Sequence, residues 1–331
     1  MTSNFKRLGA HLARVVATAS ALLATGLEIV QAQDFPSRAV TLVVPFAAGG
    51  GTDSIARDVA RIMTERLGKP VVVDNRGGAG GAIAAAAVAK AAPDGHTLLF
   101  VTSTFVTHAA SDPTPGYDVL KDFAPVAMIG RGPLLLVTSR ELGAASVSQL
   151  IDMAKKQPAG LTYCSAGNGS INHLSAEMFN QRAGVSMTHV PYRGSGPATL
   201  DLLAGRVQVF FATVPTIGAL VRENRVKALA VTGKRRSPLF ASLPTIAESG
   251  LGDFDVTTWW GVVAPAGTPQ AVNTRLNELV NEATATPSVQ TRLTNEGAES
   301  FKGSAASFQG VLATELDAWR GVVKSGGFKL N

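Results

Sequence analysis

Short β-branched runs alternate with helix-period patterns along most of the chain. Val40 to Val44 is apolar but for Thr41 and stops at Pro45 and a glycine cluster, which predicts a buried strand. Ile55, Val59, Ile62 and Leu67 then recur at helical spacing, with Arg57, Asp58, Arg61 and Glu65 between them, predicting an amphipathic helix. A strand at Val71 to Val73, an alanine-rich helix from Ala82 to Ala92 and a strand from Thr97 to Thr102 follow. This alternation is the grammar of a parallel sheet covered by helices.

The pattern resumes with strands at Val126 to Ile129 and Leu134 to Val137, then a helix from Val147 to Lys156. A strand at Leu161 to Cys164, a helix at Asn172 to Arg182 and a strand at Met187 to Val190 come next. A helix from Ala198 to Ala204 and strands at Val207 to Phe211 and Ala228 to Val231 complete a second α/β unit. After a last strand from Trp260 to Ala264, helices are predicted at Val272 to Thr284, Val289 to Glu296 and Ser304 to Val323. That tail is too helical to form a lobe alone, so it is expected to return to the first one. The predicted fold is therefore α/β with two lobes, each a mostly parallel sheet flanked by helices, with two crossovers near Arg131 and Trp259. Lobe 1 is assigned 33–130 plus 256–331 and lobe 2 131–255. A length of 331 residues, more than one core usually serves, agrees with this.

Composition changes the picture little: 46% hydrophobic and 16% charged residues mark an ordinary globular chain and exclude disorder. The N-terminus changes it more. Lys6, Arg7 and Arg14 precede an apolar run from Val15 to Leu27, and Val30-Gln31-Ala32 offers small residues for cleavage after Ala32. Residues 1–32 are read as a signal peptide, and the mature chain as soluble and periplasmic. Glu28 interrupts the run before it reaches the ~20 apolar residues that span a bilayer. Losing three basic residues and Glu28 lowers the net charge from +6 to +4. With Lys234-Arg235-Arg236 the one basic cluster, a nucleic-acid partner is excluded. The single cysteine, Cys164, reads as a small buried hydrophobe.

The common catalytic constellations are missing. Gly68-Lys69 is followed by Pro70 and Gly233-Lys234 by Arg235, so no phosphate-binding GxxxxGK[ST] exists. Gly77 to Ile83 departs from the dinucleotide pattern at its last small position, and neither Ser165 nor Ser195 sits in a nucleophile elbow. His173 and Glu177 make at most half of a metal site. No cofactor, metal or enzymatic role is predicted; the rival reading is a periplasmic hydrolase using Ser165 or Ser170 with His173.

What remains are glycine- and hydroxyl-rich turns at the carboxyl ends of strands, where open α/β sheets bind ligands. The first, Pro45 to Asp53, contributes Phe46, Ala48, Gly49, Gly50, Thr52 and Asp53. Its glycines let the backbone approach a ligand, the helix start favours an anion, and Thr52 or Asp53 would cap the helix. The second, Ser165 to Ser170, contributes Ser165, Gly167, Asn168, Gly169 and Ser170. Ser103 and Thr104 add hydroxyl donors, and His173, Tyr192 and Thr213 complete the expected ligand set. Charge-assisted hydrogen bonds contribute about 1.5 to 3 kcal/mol each, so four or five support roughly micromolar binding after the cost of association.

At these residues the sequence resembles the tripartite tricarboxylate transporter receptor family, the Bug-type periplasmic solute-binding proteins. The resemblance rests on Val43-Val44-Pro45-Phe46-Ala47-Ala48-Gly49-Gly50 with Asp53, and on Val73-Asp74-Asn75-Arg76-Gly77-Gly78-Ala79-Gly80-Gly81. It continues through Pro93-Asp94-Gly95-His96-Thr97, Ser165 to Ser170 with His173, Val190-Pro191-Tyr192-Arg193-Gly194, Leu243-Pro244-Thr245, and Trp260-Gly261 with Ala264-Pro265-Ala266-Gly267. It implies a type II-like periplasmic binding fold, acting as a monomer, whose two turns pinch a ligand carboxylate. It also implies delivery to integral-membrane subunits of a secondary transporter, or to a sensor protein. Gln208 and Ala212 stand where the resemblance leads one to expect acids, which disfavours an amino acid ligand.

Overall fold

The computed structural model describes residues 35–326, so the predicted signal segment lies outside the described residues. One long strand organises the fold. The sequence suggests two strands separated by Gly130-Arg131-Gly132-Pro133, but Phe123–Thr138 forms a single 16-residue strand, β4. Its glycines mark close approach. A Cβ at Gly130 would lie 2.7 Å from the Glu299 carbonyl oxygen, and one at Gly132 would lie 3.0 Å from that of Gly297.

On one side of β4 lies a parallel trio, β1 (Val40–Val44), β2 (Val71–Asn75) and β3 (Thr97–Thr102), in the order β2-β1-β3. On the other lies the trio β5 (Thr162–Ser165), β6 (Thr188–Pro191) and β7 (Val209–Thr213), in the order β7-β5-β6. Strand β9 (Thr257–Pro265) runs antiparallel between β3 and β4, while β7 and β8 (Lys227–Val231) are antiparallel to β4. A short β10 (Glu299–Ser300) also pairs with β4. The sheet is therefore mixed: the two parallel units appear, and the strands that join them are antiparallel. Strand β4 pairs with β9 from Phe123 to Pro133 and with β7 and β8 from Leu134 to Thr138.

Helix α1 (Gly51–Leu67) buries Ile55, Ala56, Val59, Ala60, Ile62 and Met63 on one face. It ends where Gly68, at φ +64°, returns its N–H to the Thr64 carbonyl. Helix α2 (Ala82–Ala89) follows β2. Two helices escape the sequence patterns: α3 (Ser103–Ser111), which is polar and β-branched, and α7 (Val214–Arg222), which carries Pro215 in its first turn, where proline is tolerated. The remaining helices are α4 (Val147–Lys156), α5 (Ile171–Ala183), α6 (Ser195–Leu203), α8 (Gln270–Ala285), α9 (Pro287–Asn295) and α10 (Ala305–Gly326). Among the described residues no helix is long and apolar enough to cross a membrane. Cys164 is fully buried, as expected of a structural cysteine.

Candidate functional site

The carboxyl ends of β1, β3, β5, β6 and β7 each lead into a helix, α1, α3, α5, α6 and α7 respectively. The starts of all five helices line one cavity of about 320 Å³. Aligned peptide dipoles and unpaired first-turn N–H groups make each start an anion-favouring group. The ends differ in how these donors are used. Thr102 caps α3 by accepting from the Thr104 N–H at 3.2 Å, and Ser170 caps α5 by accepting from the His173 N–H at 3.3 Å. No side chain caps α1, α6 or α7. Three helix starts therefore keep donors that a ligand can take.

The turn Pro45 to Asp53 does not cap α1 in the expected way. Gly50 is the cap residue, and Asp53 turns back to accept the Gly49 N–H at 2.9 Å. Asp53 also accepts from Arg57 Nε and Asn75 Nδ2, each at 2.9 Å. Burial opposes its charge, but the hydrogen bonds from Arg57, Gly49 and Asn75 prevail and hold the carboxyl below the usual carboxylate range. This carboxylate is thus committed to fixing the turn. Gly51 faces α7 directly: a Cβ there would sit 1.9 Å from Pro215 Cβ.

Of the residues singled out in the sequence, Phe46, Ala48, Gly49, Gly50, Thr52, Asp53, Thr104 and Thr213 line this cavity. Gly167, Asn168 and Tyr192 line a neighbouring one of about 400 Å³, with the Tyr192 hydroxyl bound to Asp201 at 2.7 Å. The other five line neither cavity and act underneath. Ser103 is fully buried and shares a hydrogen bond with Thr258 Oγ1 at 2.9 Å. Gly169 accepts from Thr107 Oγ1 at 2.7 Å, and Ser170 is the cap of α5. A Cβ at Gly169 would lie 2.8 Å from Ser111 Oγ, so α3 packs directly against this turn.

Ser165 and His173 form part of a buried layer below the second turn. Ser165 Oγ accepts the Gly167 N–H at 3.1 Å and shares a 2.6 Å hydrogen bond with His189 Nε2. His173 Nδ1 accepts the Gly169 N–H at 3.2 Å, and its ring stacks on that of His189 with centroids 3.9 Å apart. Burial lowers the pKa of His173 to about 3, helped by the neighbouring His189, and that of His189 to about 4. Neutral rings suit this arrangement, because His173 must accept. Ser165 is completely buried and its imidazole partner is His189, while Ser170 Oγ accepts the His173 backbone N–H, so neither serine is set against the His173 ring as the hydrolase reading requires.

The sequence patterns do not single out Asn172, the segment Arg193 to Pro197, Thr199, Pro215, Thr216 and Thr258, all of which line the first cavity, as does Trp260. Gly194, at φ +116°, was the available signal for a special turn ahead of α6. Gln208 accepts from Thr162, and Ala212 lies in the core. Neither lines a cavity, so their lack of charge excludes no ligand class.

The chain is similar to known proteins over most of its length. Residues 55–328 match the model of the family described as tripartite tricarboxylate transporter family receptor. The chain is 37% identical to protein BugT of Bordetella pertussis over 324 residues, covering 97% of this chain and 99% of that protein. Among solved structures, R. palustris Rpa4515 with adipate matches at a TM-score of 0.85 and 40% identity, covering 89% of this chain and 99% of that one. MatC from Rhodopseudomonas palustris with bound malate matches at a TM-score of 0.83 and 36% identity, covering 87% and 100%. With the family model, the full-length relative and the two-lobed neighbours in agreement, the chain belongs to the tripartite tricarboxylate transporter receptor family and is a solute receptor rather than an enzyme.

Proposed function

We propose that this receptor binds a small carboxylate in the 320 Å³ cavity and delivers it to the membrane subunits of a tripartite tricarboxylate-type secondary transporter or to a sensor protein. It works as a monomer in the periplasm after cleavage near Ala32. The observation that carries the reading is the convergence of three uncapped helix starts on one cavity whose single acid among the described residues is already committed to three donors. A carboxylate brings the acceptors those N–H groups need. The adipate and malate held by two structural neighbours support the same ligand class.

The ligand is gripped by the N–H groups of the Gly50 to Asp53 turn, by the start of α6 and by Thr213 at the start of α7. Residues 33–130 plus 256–331 form one lobe and 131–255 the other, a division supported by the change of partners along β4 at Leu134. The second turn, Ser165 to Ser170, positions Asn168 and the start of α5 rather than offering its hydroxyls. Thermal denaturation with a panel of di-, tri- and aromatic carboxylates tests this. Saturable stabilisation by at least one acid, recovered unchanged by mass spectrometry, is expected; no stabilisation by any of them, or conversion of the acid, contradicts it.

A further inference from the structure

Beside the first cavity lies a second, of about 400 Å³, which binding of a single carboxylate leaves unused. The two share Phe46, Ala166, Arg193 and Gly194 as walls, so they meet along one edge. A ligand seated in the first has this edge as its way on. Among the described residues, Arg193 is the only lysine or arginine lining either cavity. It is exposed and forms no ion pair among the described residues, whereas Arg57 and Arg206, near the same loops, are committed to Asp53 and Asp201. Gly194 at φ +116° turns the chain between Arg193 and the uncapped start of α6, which brings a free guanidinium and free backbone donors together.

We infer that Arg193 takes the second carboxylate of a dianionic ligand whose first carboxylate rests on the helix starts, so that the receptor selects dicarboxylates over monocarboxylates. The inference rests on the proposed carboxylate function and deepens it. A guanidinium offers a planar fork that matches both carboxylate oxygens. An exposed pair contributes little in water, but a bound ligand and a closed cleft exclude solvent from it, and its attraction grows as the local dielectric falls. The other charged or titratable groups lining the second cavity fix where the anion sits. Asp112, 3.8 Å from His108, repels an anion from its part of the lining, and buried His108, whose pKa burial lowers against the pull of Asp112, supplies no compensating charge near neutral pH. The second carboxylate therefore stops at the shared edge, against Arg193.

Calorimetric titration with chain-matched pairs, succinate against butyrate and adipate against hexanoate, tests the inference on the full mature protein, Arg193→Gln and Arg193→Lys. The wild type is expected to prefer the diacid at least tenfold in one pair. Arg193→Gln should weaken diacid binding at least tenfold more than monoacid binding, and Arg193→Lys should recover part of the preference. Equal weakening of both members, or no change in their ratio, overturns the inference while leaving the carboxylate function standing. A wild type that binds no acid of either pair also overturns the inference, while the carboxylate function then stands or falls by the wider panel of di-, tri- and aromatic acids, so the two failures are told apart on the wild type.

Discussion

Two residues near the site show how a polar side chain serves binding without touching the ligand. Asp53 collects three donors and fixes the first turn; His173 accepts one N–H and fixes the second. Both were legible as special, since each sits beside a glycine-rich turn. Their orientation was not, because direction into or away from a cleft depends on packing that no local pattern encodes. The histidine layer has a consequence for acid stability. Folding lowers the pKa of His173 to about 3 and of His189 to about 4 from an ordinary 6.5, so the unfolded chain binds protons that the folded chain refuses. Their contribution is intact above pH 6.5 and is lost as pH falls toward the folded values. Denaturation between pH 7 and pH 5 should show a loss of roughly 2 to 4 kcal/mol, at about 1.4 kcal/mol per proton per pH unit. In His173→Asn, which keeps an acceptor for Gly169 but cannot titrate, the slope should be shallower; an unchanged slope would remove the histidine from this account.

At the scale of elements, the site is a meeting of helix starts. The starts of α1 and α5 were readable, because glycine clusters follow a strand and precede an apolar helical period. The starts of α6 and α7 were not: Gly194 and Pro215 look like ordinary turn residues until the fold brings them to the cavity that α1 also lines. The pairing of α1 with α7 is the tightest of these contacts, since Gly51 leaves no room for even a methyl group beside Pro215. Overpacking of this kind typically costs about 1 to 3 kcal/mol, and here the neighbouring helix can relieve it by moving away. Gly51→Ala should therefore weaken ligand binding about tenfold or more, with a smaller change in unfolding temperature, and Pro215→Gly in the same chain should restore much of the affinity. Normal binding by Gly51→Ala would mean that α1 and α7 need not approach for the ligand to be held.

Across the whole molecule, the two parallel units were legible in the order of strands and helices. The antiparallel centre was not. Strand β4 hides behind Gly130 and Gly132, which read as a break but are small because β10 and the Gly297 segment pass close by. That long strand, with β9 beside it, carries both units, so a ligand touching the helix starts of both is held by one continuous frame. The uncapped first turn of α1 is where the carboxylate should rest. A crystal structure of the mature protein with a tightly binding dicarboxylate would show this. A carboxylate oxygen is expected within hydrogen-bonding distance of the Gly51 or Thr52 N–H; a ligand bound elsewhere, with the turn from Pro45 to Asp53 facing only solvent, would rule out this mode of binding.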